Sequence, residues 1–152
     1  MDMTQMPDIS LASSDTNAIS QALGDSFRSY GFAKVIDHGI DPHLTKEAWR
    51  LSKELFARPT EEKLRWYDKN IAGQRGYTPS KTEIAKGAAH HDLKEFWHVG
   101  RTLPTGHPLE GEMLKNIWPD TVDGFRDIYE PLYAEFDRVG AKILSYLAIY
   151  LG

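Results

Sequence analysis

Residues 30–40 read YGFAKVIDHGI, and the fold turns on whether the histidine beside an aspartate in this stretch is chemistry or only a turn. Residues 32–36 are apolar and rich in β-formers, so they read as a short strand that His38-Gly39 closes. Neighbours on a strand point to opposite faces, so Asp37 and His38 lack the same-face placement that a chelating pair needs. The stretch therefore reads as a sheet element followed by a turn in which His38 hydrogen-bonds locally.

Working outward, the run Ser13, Ser14, Asp15, Thr16 offers an N-cap, with Ser13-Ser14 read as caps, for a helix reaching residue 30. Ile19, Ala22, Leu23, Ser26 and Phe27 share one face of it, and Gly31 is placed to end it. Asp41-Pro42 opens a second helix carrying Leu44, Ala48, Trp49, Leu51, Leu55 and Phe56 before Pro59. A short third helix starts at Thr60, read as a cap, with Glu61 and Glu62 in the first turn where the helix dipole favours acids. Residues 71–87, with three glycines and one proline, read as a long loop or ragged hairpin. Residues 92–99, DLKEFWHV, read as a strand with alternating sides. A long amphipathic helix follows over 122–151, with Phe125, Ile128, Tyr129, Leu132, Phe136, Val139, Ile143, Leu144, Leu147 and Tyr150 near helical spacing and a kink at Pro131. The class is α+β, mostly helical, with a few short strands too far apart in sequence to build a sheet of ordinary size. The apolar stripe continues to the last turn, as a partner-covered surface would.

A chain of 152 residues is long enough for one core. Its 18 Lys+Arg against 22 Asp+Glu are scattered, giving no footprint for nucleic acid. With no cysteine, disulfides, thiolate metal sites and thiol nucleophiles are excluded, so any metal must be held by His and carboxylate. The first residues, MDMTQMPDISLASSD, lack a basic and an apolar segment, and the apolar window 143–151 is too short to span a bilayer. A cytoplasmic protein, without membrane or nucleic-acid partners, is the expectation.

Four blocks occur in order: Pro7-Asp8-Ile9-Ser10-Leu11; Gly31-Phe32 through Asp37-His38-Gly39-Ile40; Phe56 through Pro59-Thr60-Glu61-Glu62-Lys63; and Arg75-Gly76-Tyr77-Thr78-Pro79 with Asp92-x-Lys94-Glu95-x-Trp97. As an ordered set they resemble the N-terminal region of the isopenicillin N synthase-like non-haem iron, 2-oxoglutarate-dependent oxygenases. The resemblance implies a protein about twice this length, in which a jelly-roll domain, the double-stranded β-helix, holds Fe(II) with a His-x-Asp pair and a distant His. An Arg-x-Ser pair in that domain holds 2-oxoglutarate in most members. Two histidines and one carboxylate leave iron positions open for the keto acid and dioxygen. The whole of residues 1–152 is then the N-terminal domain, its short strands lent to the jelly-roll sheet and its long helix supporting the barrel, with the catalytic domain outside this chain.

His90-His91-Asp92 also spells His-x-Asp, with His98 and His107 downstream, so His90 and Asp92 are the metal candidates within the chain. On a strand they would share a face. Their place at the head of the Asp-x-Lys-Glu-x-Trp block favours a solvated approach to a strand instead. Arg75 and Tyr77 are the substrate-binding candidates: a guanidinium grips a carboxylate in two places, a tyrosine offers a flat face and a hydroxyl, and Gly76 allows close backbone approach. In isopenicillin N synthase the arginine resembling a substrate grip stands two places before the Gly-Tyr pair, where this chain has Gln74. The competing reading pairs Arg75 with Glu83 and packs Tyr77 under the loop. Lys94-Glu95 reads as a cross-strand charge arrangement, and Trp49, Trp66, Trp97 and Trp118 read as core and interface anchors.

The expected function is that of the N-terminal domain of an oxygenase that oxidises a small molecule as 2-oxoglutarate and dioxygen become succinate and CO2. This chain alone is expected to hold neither cofactor and to be inactive, packing on its catalytic domain or on a partner chain. The alternatives are a non-catalytic helical interaction module and a small His/Asp metal-binding protein.

Overall fold

The computed structural model describes residues 6–84, 87 and 89–152, and the chain divides into two compact units, Met1–Ile40 with Glu135–Gly152 and Asp41–Ala134. In the first unit, β1 (Asp8–Ser10) pairs in parallel with β2 (Lys34–Ile36), with Ile9 opposite Val35. Parallel neighbours need a crossover, and α1 (Thr16–Tyr30) supplies it. Its N-cap is Asp15, whose side chain accepts from the Ala18 amide at 2.9 Å, while Ser13 accepts from the Asp15 amide one step upstream. Residues 37–39 are irregular and form no regular turn, with positive φ at Asp37 and Gly39, but His38 does bond locally: the Ile40 amide donates to its Nδ1 at 3.1 Å, and Ser10 donates to the Asp37 carboxylate at 2.6 Å.

The last helix, α4 (Phe125–Leu151), starts three residues later than the periodicity suggests, after a tight turn in which the Phe125 amide donates to the Val122 carbonyl. Residues 135–151 of it belong to the first unit, where Ile9, Leu11, Ile19, Leu23, Val139 and Tyr146 are buried. Ser20 donates to the Tyr146 carbonyl at 2.8 Å, and Gly24 lies so close under the Tyr150 ring that a Cβ there would overlap it. The single apolar stripe expected for this helix is split. Val139 and Tyr146, seven residues apart, fall within about 20° of each other on the helix. Phe136, Leu144 and Leu151 lie on a second strip and are 55%, 67% and 82% exposed.

In the second unit, α2 (Pro42–Phe56) is capped by Asp41, which accepts from the His43 amide at 2.8 Å. The short α3 (Thr60–Lys63) has Pro59 at its N-cap position with no side-chain bond, so Thr60 is its first residue and not its cap. Two 3₁₀ turns, Leu64–Trp66 and Lys69–Ile71, lead to β3 (Gly76–Thr78), which pairs antiparallel with β4 (Phe96–His98). The loop expected over 71–87 therefore contains a fully buried strand, and the strand expected over 92–99 shrinks to three residues. Leu51, Leu55, Trp66, Tyr77, Val122 and Phe125 form the core of this unit. Trp97 meets Trp66 edge-on at 5.8 Å and Phe125 at 5.3 Å, and Phe125 stacks on Tyr129 at 4.2 Å. Trp49 departs from expectation: it is 69% exposed and no core anchor. Among the described residues no helix is long and apolar enough to cross a membrane.

The second unit also encloses a charge. Lys63 is 4% exposed, and its ammonium donates to both Glu95 oxygens at 3.0 and 2.8 Å and to the Phe56 carbonyl at 3.0 Å. Tyr77 donates its hydroxyl to the same carboxylate, and the ammonium stands 5.5 Å from the Tyr77 ring. The expected Lys94-Glu95 arrangement is replaced by two separate pairs, Lys63 with Glu95 and Lys94 with Asp92 at 2.9 Å. Burial acts to raise the Glu95 carboxyl, but the hydrogen bonds from Lys63 and Tyr77 outweigh it and hold it below its usual range. Burial, with the adjoining carboxylate, pushes the Tyr77 phenol well up.

Lys63→Met should cost about 2–3 kcal/mol in thermal or urea unfolding, below the full cost of breaking a buried pair because Glu95 keeps some solvent. Lys63→Met with Glu95→Leu should cost less than the sum of the single changes. Because the folded-state Glu95 carboxyl titrates below its unfolded value, about 4.3, its stabilisation is complete above that value and fades as pH falls through the folded-state value. Melting scans between about pH 7 and pH 3 should show a shallower acid decline in Glu95→Gln than in the parent.

Candidate functional site

The β3–β4 hairpin carries the residues that the sequence singles out, and its geometry sorts them. Gly76 has φ 71, and a Cβ on it would stand 2.5 Å from the Trp66 carbonyl. Its role is thus to let the strand lie against the protein's own backbone, not against a ligand. Tyr77 is 1% exposed and its hydroxyl is given to Glu95, so it is packed under the loop as the competing reading has it.

Arg75 stays half-buried beside it. Its guanidinium lies across Gly100, so closely that a Cβ there would collide with Nη2. Nη1 donates to the Gln74 carbonyl at 2.6 Å, and Nε is buried without a hydrogen-bond partner. Among the described residues no carboxylate pairs with Arg75, and the ion pair with Glu83 is not formed. A planar cation held flat with no counter-charge is suited to receive a carboxylate.

The sequence marks His98 only as a possible third metal ligand after His90 and Asp92, and the structure gives it a different setting. Alternation along β4 puts Trp97 into the core and Phe96 and His98 on the other face, with their rings stacked at 5.5 Å. His98 Nδ1 lies 2.9 Å from the Gly73 carbonyl, which only accepts, so Nδ1 is the donor there and Nε2 is the ring nitrogen turned away from that bond. Buried Thr78 also donates to that carbonyl, at 2.8 Å. The signal was present in the alternating FWH, but the hydrogen-bond partner lies 25 residues away.

His90 and Asp92 are not on a strand, so the same-face geometry that made them metal candidates is not formed. Asp92 is held by Lys94, and its backbone bonds to Lys81 and Glu83. His107 closes a local turn by accepting from the Leu109 amide. Among the described residues no three His, Asp or Glu side chains converge on a point that could hold a metal, so the donors present do not fit an iron site. A literal Arg-x-Ser occurs as Arg50-Leu51-Ser52 on α2, but Arg50 is paired with Glu47 and Glu54 and Ser52 bonds Tyr129, leaving no carboxylate grip.

Comparison with known proteins places this geometry in a family. A flavone synthase from Petroselinum crispum is 31% identical over 154 aligned positions, covering 97% of this chain and 40% of that enzyme. Flavanone 3-dioxygenase 2 from Oryza sativa subsp. japonica is 28% identical, with 97% and 41% covered. In structure, a 2OG-Fe(II) oxygenase family protein from Caulobacter crescentus superposes with a TM-score of 0.84 at 39% identity, covering 96% of this chain and 48% of that one. A Neurospora crassa protein solved in complex with alpha-KG and thymine shares the fold at 22% identity, with a TM-score of 0.74 over 97% of this chain and 48% of that one. The chain spans about two fifths of these curated relatives and about half of the solved ones. The family model described as non-haem dioxygenase in morphine synthesis N-terminal matches residues 5–121, and the chain belongs to that family, the N-terminal region of the 2-oxoglutarate-dependent non-haem iron oxygenases.

Proposed function

We propose that this chain serves as the N-terminal domain of a longer Fe(II)- and 2-oxoglutarate-dependent oxygenase that oxidises a small molecule, and that it does not turn over alone. The observation that carries the reading is the pairing of a family-wide match with a described set of side chains that offers no three-donor metal site. In such an enzyme the iron and the keto acid supply the oxidising chemistry from a jelly-roll domain. This chain supplies part of the wall around the substrate and support for that domain. Arg75, fixed flat against Gly100 with no carboxylate of its own, would grip an acidic group of the substrate. Phe96 would provide an apolar face and His98 Nε2 a hydrogen-bonding group beside it. The short strands would extend the jelly-roll sheet, and the exposed strip Phe136, Leu144 and Leu151 would be covered by the same domain.

Anaerobic titration of the 152-residue chain with Fe(II) and 2-oxoglutarate tests this directly. No charge-transfer absorption is expected from the chain alone. A stoichiometric coloured complex, abolished by His90→Ala, would instead establish a metal site of its own and overturn the reading.

A further inference from the structure

In the second unit, the segment between β4 and α4 and the first turns of α4 line a cavity of about 300 Å3 that is open to solvent on one side, apart from the outer face of β4. That volume suits one small molecule. Leu103, Met113, Leu114 and Trp118 give it an apolar lining. Its wall is fixed: Asn116 accepts from the Gly100 amide at 2.7 Å and donates to the Gly100 carbonyl at 2.8 Å, a two-way bond that pins the loop.

The charges around the cavity are unequal in their commitments. Glu130 is taken by Arg126 at 2.9 Å and by Thr102 at 2.6 Å, and those bonds hold its carboxyl below the usual range. Glu110 accepts from the Gly106 amide at 2.7 Å. Glu130 thus has a cationic partner, whereas Glu110 has a backbone amide and no counter-charge among the described residues. Arg101, which also lines the cavity, has an interaction of its own, and Arg126 is paired with Glu130, so among the described residues the cation left there without a hydrogen bond or ion pair is Lys115. A single free cation suits a monoanion better than a polyphosphate, whose several charges would also meet Glu110 and Glu130. Trp118 also lines the cavity, with the Arg126 guanidinium 5.9 Å over its ring, so a flat guest would meet the indole beside that cation.

We propose that this cavity is a binding site for a small aromatic monocarboxylate, its ring against Trp118 and its carboxylate paired with Lys115. The site is independent of the oxygenase reading, since it uses neither iron nor the hairpin residues.

The test uses the whole chain, with 2-naphthoate as the probe and 2-naphthalenemethanol as its neutral counterpart. Indole N–H signals are followed by nuclear magnetic resonance, with that of Trp118 assigned through Trp118→Phe. The expected result is a saturable shift of the Trp118 signal with a Kd on the order of 1 mM. The alcohol should bind roughly fivefold more weakly, and Lys115→Gln should weaken the acid by a similar factor while leaving the alcohol unchanged. Lys115 is exposed, so that variant should fold as the parent does. No saturable shift, equal binding of acid and alcohol, or acid binding indifferent to Lys115→Gln would each overturn the proposal.

Discussion

The ammonium of Lys63 sets the terms for the second unit. A lysine buried to this degree is tolerated only where its charge and its donors are met, and here they are met by Glu95, the Phe56 carbonyl and the faces of Tyr77 and Phe56. Those partners come from the end of α2, from β3 and from the residue before β4. The arrangement therefore ties a four-residue helix to two three-residue strands, none of which has enough ladder or length to persist alone. The aromatic cluster of Trp66, Trp97 and Phe125 supplies the apolar burial beside it. The ion pair adds what apolar packing lacks, a fixed register between α3 and the hairpin.

Against that background, what was legible in the sequence is easy to separate from what was not. α1 and α2 were readable because their determinants are local: Asp15 and Asp41 as caps, Pro42 at the first position, and apolar residues at helical spacing. The local hydrogen bond of His38 was readable for the same reason, since its partner is the Ile40 amide two residues on. β3 was hidden because it is three residues long, begins at a glycine and carries no alternation of its own; only pairing with β4, some twenty residues on, makes it a strand. α4 misled in the opposite way. Its apolar residues are more numerous than one buried face can take, so helical spacing identified the helix without saying which residues it buries.

The candidate site was legible in part, and the errors share a cause. Arg75-Gly76-Tyr77 was taken as one functional group because three residues with suggestive chemistry stood together. In three dimensions Gly76 and Tyr77 turn inward to the Trp66 carbonyl and to Glu95, and Arg75 alone keeps an uncommitted cation. His90 and Asp92 looked like a chelate only on the assumption of a strand that begins at Phe96 instead. His98 reads in sequence only as a possible third metal ligand, because the Gly73 carbonyl that its ring meets lies 25 residues away. Short-range pattern identifies residue types able to do chemistry, whereas long-range hydrogen bonds decide which of them remain available to do it.

Three of the cations illustrate that distinction and give it physical content. Lys63 is enclosed and fully answered by a carboxylate, a carbonyl and two rings, so removing it should register as lost stability. Arg75 is half-enclosed, rigid and answered only by a backbone carbonyl, with a buried Nε left over. Desolvation without a counter-charge is a cost to the fold that Lys63, with its carboxylate, does not carry. Lys115 is exposed and bears no such cost; its interest comes from the apolar cavity beside it, where Glu130 is already paired with Arg126 and Glu110 accepts from a backbone amide. Burial alone would have ranked Lys63 first among these three as a functional residue, and the count of unmet partners reverses that order.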